Sequence, residues 1–281
     1  MPLPNLEPLR AWVGRMETDV DIAAVKPAVL LAATLDHDET PREGDALPPT
    51  WHWLYFLPAA RQRDVGADGH PERGLFIPPV PLRRRMWAGS RIELRRPVRL
   101  GSTLQRRTTI AEVTGKEGRS GALVFVRVST EIASEGVVAL VETRDIVFRD
   151  PPAQGSASPA TSDAPADAMW REERTSDPVL LFRYSALTFN CHRIHYDWPY
   201  ATEIEHYSGI VVQGPLLATL LADALRRHAD ATPAAITFRA VSPLFAGEPF
   251  VIAGKQLERG AQAWAATSQN RLAMTAEMET A

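Results

Sequence analysis

The sequence predicts an α+β fold of two units, each an antiparallel sheet curled around a helix. Three observations carry this reading. Both halves contain runs of β-branched and apolar residues separated by turn residues, the second half holds one strongly apolar-faced helix, and a segment poor in core formers lies between them. At 281 residues the chain is long enough for two ordinary domains.

Taken in order, Asp21–Leu35 and Thr50–Leu57 read as helical, with Thr50 an N-cap for the second. Phe76–Pro81 is too rich in proline for a helix or a central strand. Arg91–Arg99, Thr103–Val113, Gly121–Ile132 and Val137–Arg149 read as an antiparallel meander, with turn signals at Gly101-Ser102, Lys116–Gly121 and Ser134–Gly136. Residues 151–168 are mostly Pro, Ala, Ser, Gly and Asp, the composition of an interdomain linker, which divides the chain into units 1–150 and 169–281. Beyond it, Pro178–Ser185 reads as a strand and the His-containing stretch as a loop. Gly214–Arg227 reads as a helix with Pro215 in its first turn, and Ala235–Val241, Pro249–Leu257 and Ala261–Asn270 as strands. Ile92–Gly101 is echoed by Ile236–Gly247: Ile, a large apolar residue, Arg, then Pro-x-x-x-Gly leading into the next strand. One ancestral unit used twice, each sheet cradling a helix, is the arrangement called a double hotdog.

Composition narrows the function classes. A hydrophobic content of 45%, a charged content of 23% and a net charge of −3 give no electrostatic case for nucleic acid or anionic membrane as partner. The single cysteine, Cys191, excludes an intrachain disulfide and a multi-thiolate metal site. No stretch approaches the roughly 18–20 apolar residues that span a bilayer, and the opening Met-Pro-Leu-Pro-Asn-Leu-Glu-Pro has neither a basic nor an apolar leader region. The expectation is a cytoplasmic protein acting on a small molecule.

The densest chemistry lies in Asn190-Cys-His-Arg-Ile-His-Tyr-Asp197. Histidine titrates nearest neutrality, so His192 or His195 could move protons without a cofactor. Cys191 is either a nucleophile beside an imidazole or an inert thiol. His195-x-Asp197 with a distant His206 or His228 imitates a two-His-one-carboxylate iron site, a weaker reading because such spacing is common by chance.

This stretch resembles the MaoC-like (hydratase-2) family, whose motif runs Asp-x-Asn-Pro-aliphatic-His-x-Asp with an alanine six residues after the His. His195-Tyr-Asp197 and Ala201 match its second half. Within that family the chain resembles a subgroup holding mitochondrial-type 3-hydroxyacyl-thioester dehydratases, mesaconyl-C4-CoA hydratase and itaconyl-CoA hydratase. The subgroup reads Phe-Asn-x-His-Arg-Ile-His-Tyr-Asp, as here over Phe189–Asp197. Thr34-Leu-Asp36, Leu47–Phe56, Pro78–Pro81, Arg84–Gly89 and Lys116–Gly121 carry the same resemblance.

The resemblance implies a hydratase or dehydratase acting on a 2-enoyl-CoA-type thioester, with a short branched dicarboxylic acyl group such as itaconyl or mesaconyl. It places His195 on the catalytic His and Asn190 where the general family has its Asp, so Asn190 positions water or substrate rather than exchanging protons. The family's Gly-x-x-x-His-Gly turn is matched by Gly209–Gly214, with Gln213 in place of the His and Gly214 offering the oxyanion-hole N–H at a helix start. Asp197 and Gln213 take supporting roles. Arg84, Arg193, Trp51 and Trp53 are candidates for substrate or CoA contacts. Arg83–Arg85 is either a solvated strand end or a site for CoA phosphates or a substrate carboxylate, and the tryptophans are either core or acyl-pocket residues. No metal or cofactor is expected, and a homodimer is. Competing readings are a 3-hydroxyacyl-ACP or -CoA dehydratase of fatty acid synthesis, a non-catalytic acyl-thioester binder and a thioesterase.

Overall fold

The structure is a computed structural model that describes residues 2–118, 121–151, 162–229 and 231–280. The expected turn at 116–121 lies partly outside these residues, and of the 151–168 segment only 151 and 162–168 fall inside them.

The first half holds α1 (Glu7–Arg10), β1 (Met16–Ile22), α2 (Val25–Thr34), a 3₁₀ turn at Trp51–Leu54, β2 (Arg84–Leu94), β3 (Thr103–Gly118), β4 (Gly121–Ser134) and β5 (Val137–Arg149). The second half holds β6 (Trp170–Thr175), α3 (Pro178–Leu187), α4 (Gly214–His228), β7 (Pro233–Ala240), β8 (Pro249–Gln256), β9 (Ala261–Thr267) and β10 (Leu272–Thr280). All ten strands form one sheet in the order β1-β3-β4-β5-β2-β7-β10-β9-β8-β6. Every pairing is antiparallel.

The order reads the same from either end once β1 is matched with β6, β2 with β7 and β3–β5 with β8–β10. A two-fold relation therefore passes through the β2–β7 seam, where Ile92 faces Ile236, the first residues of the two echoed segments. The backbone repeats the relation. Leu47 N–H donates to Val98 O (2.7 Å) as Val212 N–H does to Leu244 O (2.9 Å), and Gly101 N–H donates to Ala23 O (2.8 Å) as Gly247 N–H does to Ser176 O (2.7 Å). By this register α2 corresponds to α3, against which it packs, and the 3₁₀ turn corresponds to the start of α4.

Several expected elements change. Pro178–Ser185 is not a strand but the body of α3. Asp177 caps it by accepting from Leu180 N–H (2.8 Å), Pro178 occupies its first turn, and Leu181 and Tyr184 are buried at helical spacing while Phe182 faces out. Asp21 and Ile22 belong to edge strand β1, so the helix expected over Asp21–Leu35 begins only at Val25, as α2. Thr50 caps nothing: it has positive φ, and its hydroxyl donates to Thr219 Oγ1 (3.0 Å). The strand expected at Arg91–Arg99 runs Arg84–Leu94, and β6 and β10 were not expected. Helix α4 meets the expectation and is the most deeply buried helix. Ala263, Ala265, Ala273 and Ala276 on β9 and β10 are small enough to let it approach the sheet. Among the described residues no helix is long and apolar enough to cross a membrane.

Candidate active site

A cavity of about 1550 Å³ is lined by residues of both halves, among them Trp53, Arg85, Trp87, Asn190, His195 and Gly214. His195 closes a short 3₁₀ turn, Arg193–His195, and is buried. Its Nδ1 lies 2.7 Å from Val211 O. A carbonyl only accepts, so Nδ1 carries the proton and Nε2 is the basic nitrogen. Burial disfavours the imidazolium and pushes the pKa down to about 4, outweighing the Val211 hydrogen bond.

Asp197, expected as a support, and Arg193, expected to contact substrate or CoA, stitch the surrounding loop together. Asp197 accepts from Arg193 Nε (2.9 Å) and Nη2 (2.7 Å) and from Tyr200 N–H (3.1 Å). Arg193 also donates to Ala67 O (3.0 Å) and lies 4.3 Å over the Tyr200 ring, so its guanidinium is committed to the loop. Asn190 Oδ1 accepts from His192 N–H (3.1 Å), and Asn190 lines the cavity half-buried. Gly214 opens α4, whose first internal bond runs from Leu217 N–H to Gln213 O, and Pro215 has no N–H to give. Among the described residues Gly214 N–H has no protein partner. The Trp87 indole lies so close that a Cβ here would stand 2.8 Å from Cε3, so glycine is required. Gln213 Nε2 donates to Leu181 O and Ser185 Oγ, both at 2.9 Å, tying α3 to the start of α4.

The first half adds residues that the sequence did not single out. Gly69, at φ +90°, sits so tightly on Cys191 O that a Cβ would fall 1.9 Å from it, and Asp68 O accepts from Arg193 N–H (2.9 Å). This contact brings Asp68 and His70 to the Asn190–Asp197 loop. Asp68 accepts from His70 Nδ1 (3.2 Å), the His70 ring lies 4.2 Å from His192, and His192 meets His195 edge-on at 5.4 Å. Burial pulls His70 and His192 below the ordinary imidazole range. Burial alone would raise Asp68, but its hydrogen bond to His70 and the imidazole charges hold it below the usual carboxylate range. The signal in the sequence was Asp68-Gly-His70, a turn with a titratable residue on each side of a glycine.

Glu142, on β5, is buried in the wall supplied by the first half. It accepts from His52 (3.1 Å), Trp53 Nε1 (3.0 Å), Ser90 Oγ (2.7 Å) and Arg144 (3.0 Å). Burial would raise its pKa, and Arg144 and His52 more than offset that.

Of the remaining candidates, Trp53 lines the cavity, whereas Trp51 is a core residue packed against His37, because the 3₁₀ turn points it inward. Arg84 reaches the cavity wall with its Nε held by Glu205 (2.8 Å) and its guanidinium over Tyr207. Cys191 is exposed. The iron-site set is not assembled: Asp197 is taken by Arg193, and His228 bonds to Glu172 (2.9 Å). Among the described residues only Asp68, His70 and His192 bring three ligand-type atoms within 4.8 Å of one another.

Residues 50–246 match the family described as hydroxyacyl-thioester dehydratase type 2. The chain is 45% identical to mesaconyl-C(4)-CoA hydratase of Chloroflexus aurantiacus over 241 residues, 85% of this chain and 86% of that protein. Among solved structures, HtdX from Mycobacterium tuberculosis aligns over 94% of this chain and 99% of its own, with TM-score 0.68 and 17% identity. A conserved hypothetical protein from the same organism, described as having a double hotdog fold, aligns over 95% of each chain with TM-score 0.54 and 13% identity. These structural likenesses show the double hotdog fold.

Proposed function

The chain belongs to the hydroxyacyl-thioester dehydratase type 2 family, and from that premise we propose that it is a hydro-lyase adding water reversibly across the double bond of a 2-enoyl-CoA. The acyl group is a short branched dicarboxylic one, of the kind borne by mesaconyl-C4-CoA. The observation that carries the reading is the pairing, in one cavity, of a buried imidazole with a fixed tautomer and an unpartnered N–H at a helix start.

In the proposed chemistry the Gly214 N–H, at the positive end of α4, holds the thioester oxygen. Nε2 of His195 takes a proton from water as the water oxygen bonds to the β-carbon, and the electron pair of the double bond moves toward the thioester oxygen. The imidazolium then returns the proton to the α-carbon, so one water supplies both new groups. Burial works in favour of the second step, because a site that disfavours imidazolium passes its proton on. Asn190 aligns the water, and Asp197, Arg193 and Gln213 keep the loop and the helix start in place.

The test is hydration of mesaconyl-C4-CoA, followed as loss of enoyl-thioester absorbance across a panel of enoyl-CoAs. Tight acyl-CoA binding without hydration of any member overturns the reading, and release of free CoA instead would mark a thioesterase. A homodimer is the proposed assembly. Edge strand β1 leaves its outer backbone unpaired and exposes Met16, Val20 and Ile22. The proposed compartment is the cytoplasm, which suits an exposed, unpaired Cys191.

A further inference from the structure

Three consecutive arginines open β2, and the fold gives each a different environment. Arg83 is exposed, and Arg84 is sealed against Glu205. Arg85 is half-buried, lines the cavity, and among the described residues makes no hydrogen bond or ion pair. A half-buried guanidinium that faces a cavity with no carboxylate partner keeps its donor fork free for an anionic ligand. Its charged surroundings do not supply it. The groups close enough to act on it are Asp68, already engaged by His70, and the guanidiniums of Arg73 and Arg144. Arg73 donates to the carbonyls of Val80, Leu82 and Arg83, and Arg144 is satisfied by Glu142. Loss of hydration brings the Arg85 pKa down to about 10, so the group remains charged at neutral pH. The same charge acts on His70 and His192, so this corner of the cavity favours an anion over a cation.

Position argues for the substrate's own carboxylate. Arg85 and Trp87 are two residues apart on β2, paired with Phe148 and Ile146, and so point to the same face. Trp87 is the residue packed on Gly214. One strand repeat, about 7 Å, separates the backbones of Arg85 and Trp87, and the Trp87 indole packs on the proposed thioester-oxygen site. In a C4-linked mesaconyl thioester the free carboxylate sits on the β-carbon, the atom that water attacks, two carbons from the thioester carbonyl.

We propose that Arg85 is the specificity-determining residue that binds a carboxylate on the β-carbon of the acyl group, with Arg144 beside it. The proposal rests on the hydratase reading above, but it can be tested without turnover. Methylsuccinyl-CoA linked through C4 and isovaleryl-CoA are saturated, unreactive thioesters that differ by a carboxylate in place of a methyl. Calorimetry on wild type, Arg85→Gln and Arg85→Lys gives the ratio of their dissociation constants.

Wild type is expected to prefer methylsuccinyl-CoA. Arg85→Gln is expected to lower that preference about 100-fold, and Arg85→Lys, which keeps the charge but not the fork, to retain part of it. An unchanged ratio in Arg85→Gln, or an equal weakening of both ligands, overturns the assignment. Loss of the ratio in a protein that hydrates no enoyl-CoA supports the carboxylate site while refuting the hydratase reading. Hydration of mesaconyl-C4-CoA by wild type with a ratio indifferent to Arg85 refutes the assignment alone.

Discussion

The two halves share a topology and use it in opposite ways. In the second half the sheet is filled by α4, 15 residues whose Leu and Ala side chains are buried on a floor of alanines. In the first half the corresponding position holds a four-residue 3₁₀ turn, and the space a helix would fill is part of the cavity. The matching backbone bonds align Pro49 with Gly214, so the first half lacks both the helix and the open N–H. Its inner face is correspondingly polar, with Thr108, Thr130, Glu142 and Arg144 among the lining residues. Under the proposed roles, one copy keeps the machinery and the other supplies a container for the acyl group.

Substitutions can break this division from either side. The largest effect is expected at the machinery: His195→Ala should lower kcat by 10³-fold or more at unchanged far-UV circular dichroism, roughly 4 kcal/mol of barrier. Near-wild-type turnover would remove His195 from the mechanism. In the hollow half Glu142→Ala strips the partner from Arg144 and leaves the donors of His52, Trp53 and Ser90 unmatched. A loss of about 3 kcal/mol in urea unfolding is expected, in line with breaking a buried ion pair. At the junction of the halves, Gly214→Ala drives a methyl into the Trp87 indole. It should cost about 10²-fold in kcat with a smaller change in KM, the signature of a displaced oxyanion donor.

The smallest effect is in pH. Because folding brings His195 down to about 4, kcat/KM should stay level from pH 8 to 6 and fall only on approach to pH 4. A loss centred near 6.5 would contradict the burial argument. In the same window the unfolded chain, with ordinary imidazoles near 6.5, binds more protons than the fold. Stability should therefore fall as pH drops from about 6.5 toward 4, read as a lower urea midpoint at pH 5 than at pH 7.

Much of this was legible in the residues. Helix α4 stood out because its Leu and Ala residues fall on a helical period behind Gly214-Pro215, and the paired echoes of Ile92 and Ile236 pointed to a repeat whose two-fold passes between them. The loop at Asn190–Asp197 was singled out by its motif. Local propensity failed where tertiary context decides. Val179-Leu-Leu-Phe182 looks like a strand, but the capping Asp177-Pro178 makes it a helix. Strand β6 reads Trp-Arg-Glu-Glu-Arg-Thr, too charged for a core strand but ordinary for an edge, and β10 alternates Ala and Met with Thr and Glu, residues that favour strands only when packed. Asp68, His70 and Arg85 could not have been joined to His195 from spacing, because their proximity depends on a loop of one half docking on the other. An acid such as Glu142, placed where β5 turns its side chain inward and answered by Arg144 two residues on, is the clue that sequence reading can use.

Pro215 has a consequence for the product. Because it has no hydrogen to give, Pro215 interrupts the free N–H groups at the start of α4 and leaves Gly214 N–H standing alone ahead of it as the proposed donor to the thioester oxygen. Under the proposed roles water arrives from the imidazole side alone, and the returning proton comes from the same ring. Both new bonds then form on one face of the planar enoyl group. Those roles predict syn addition, with one enantiomer formed where the bound plane presents one face to His195.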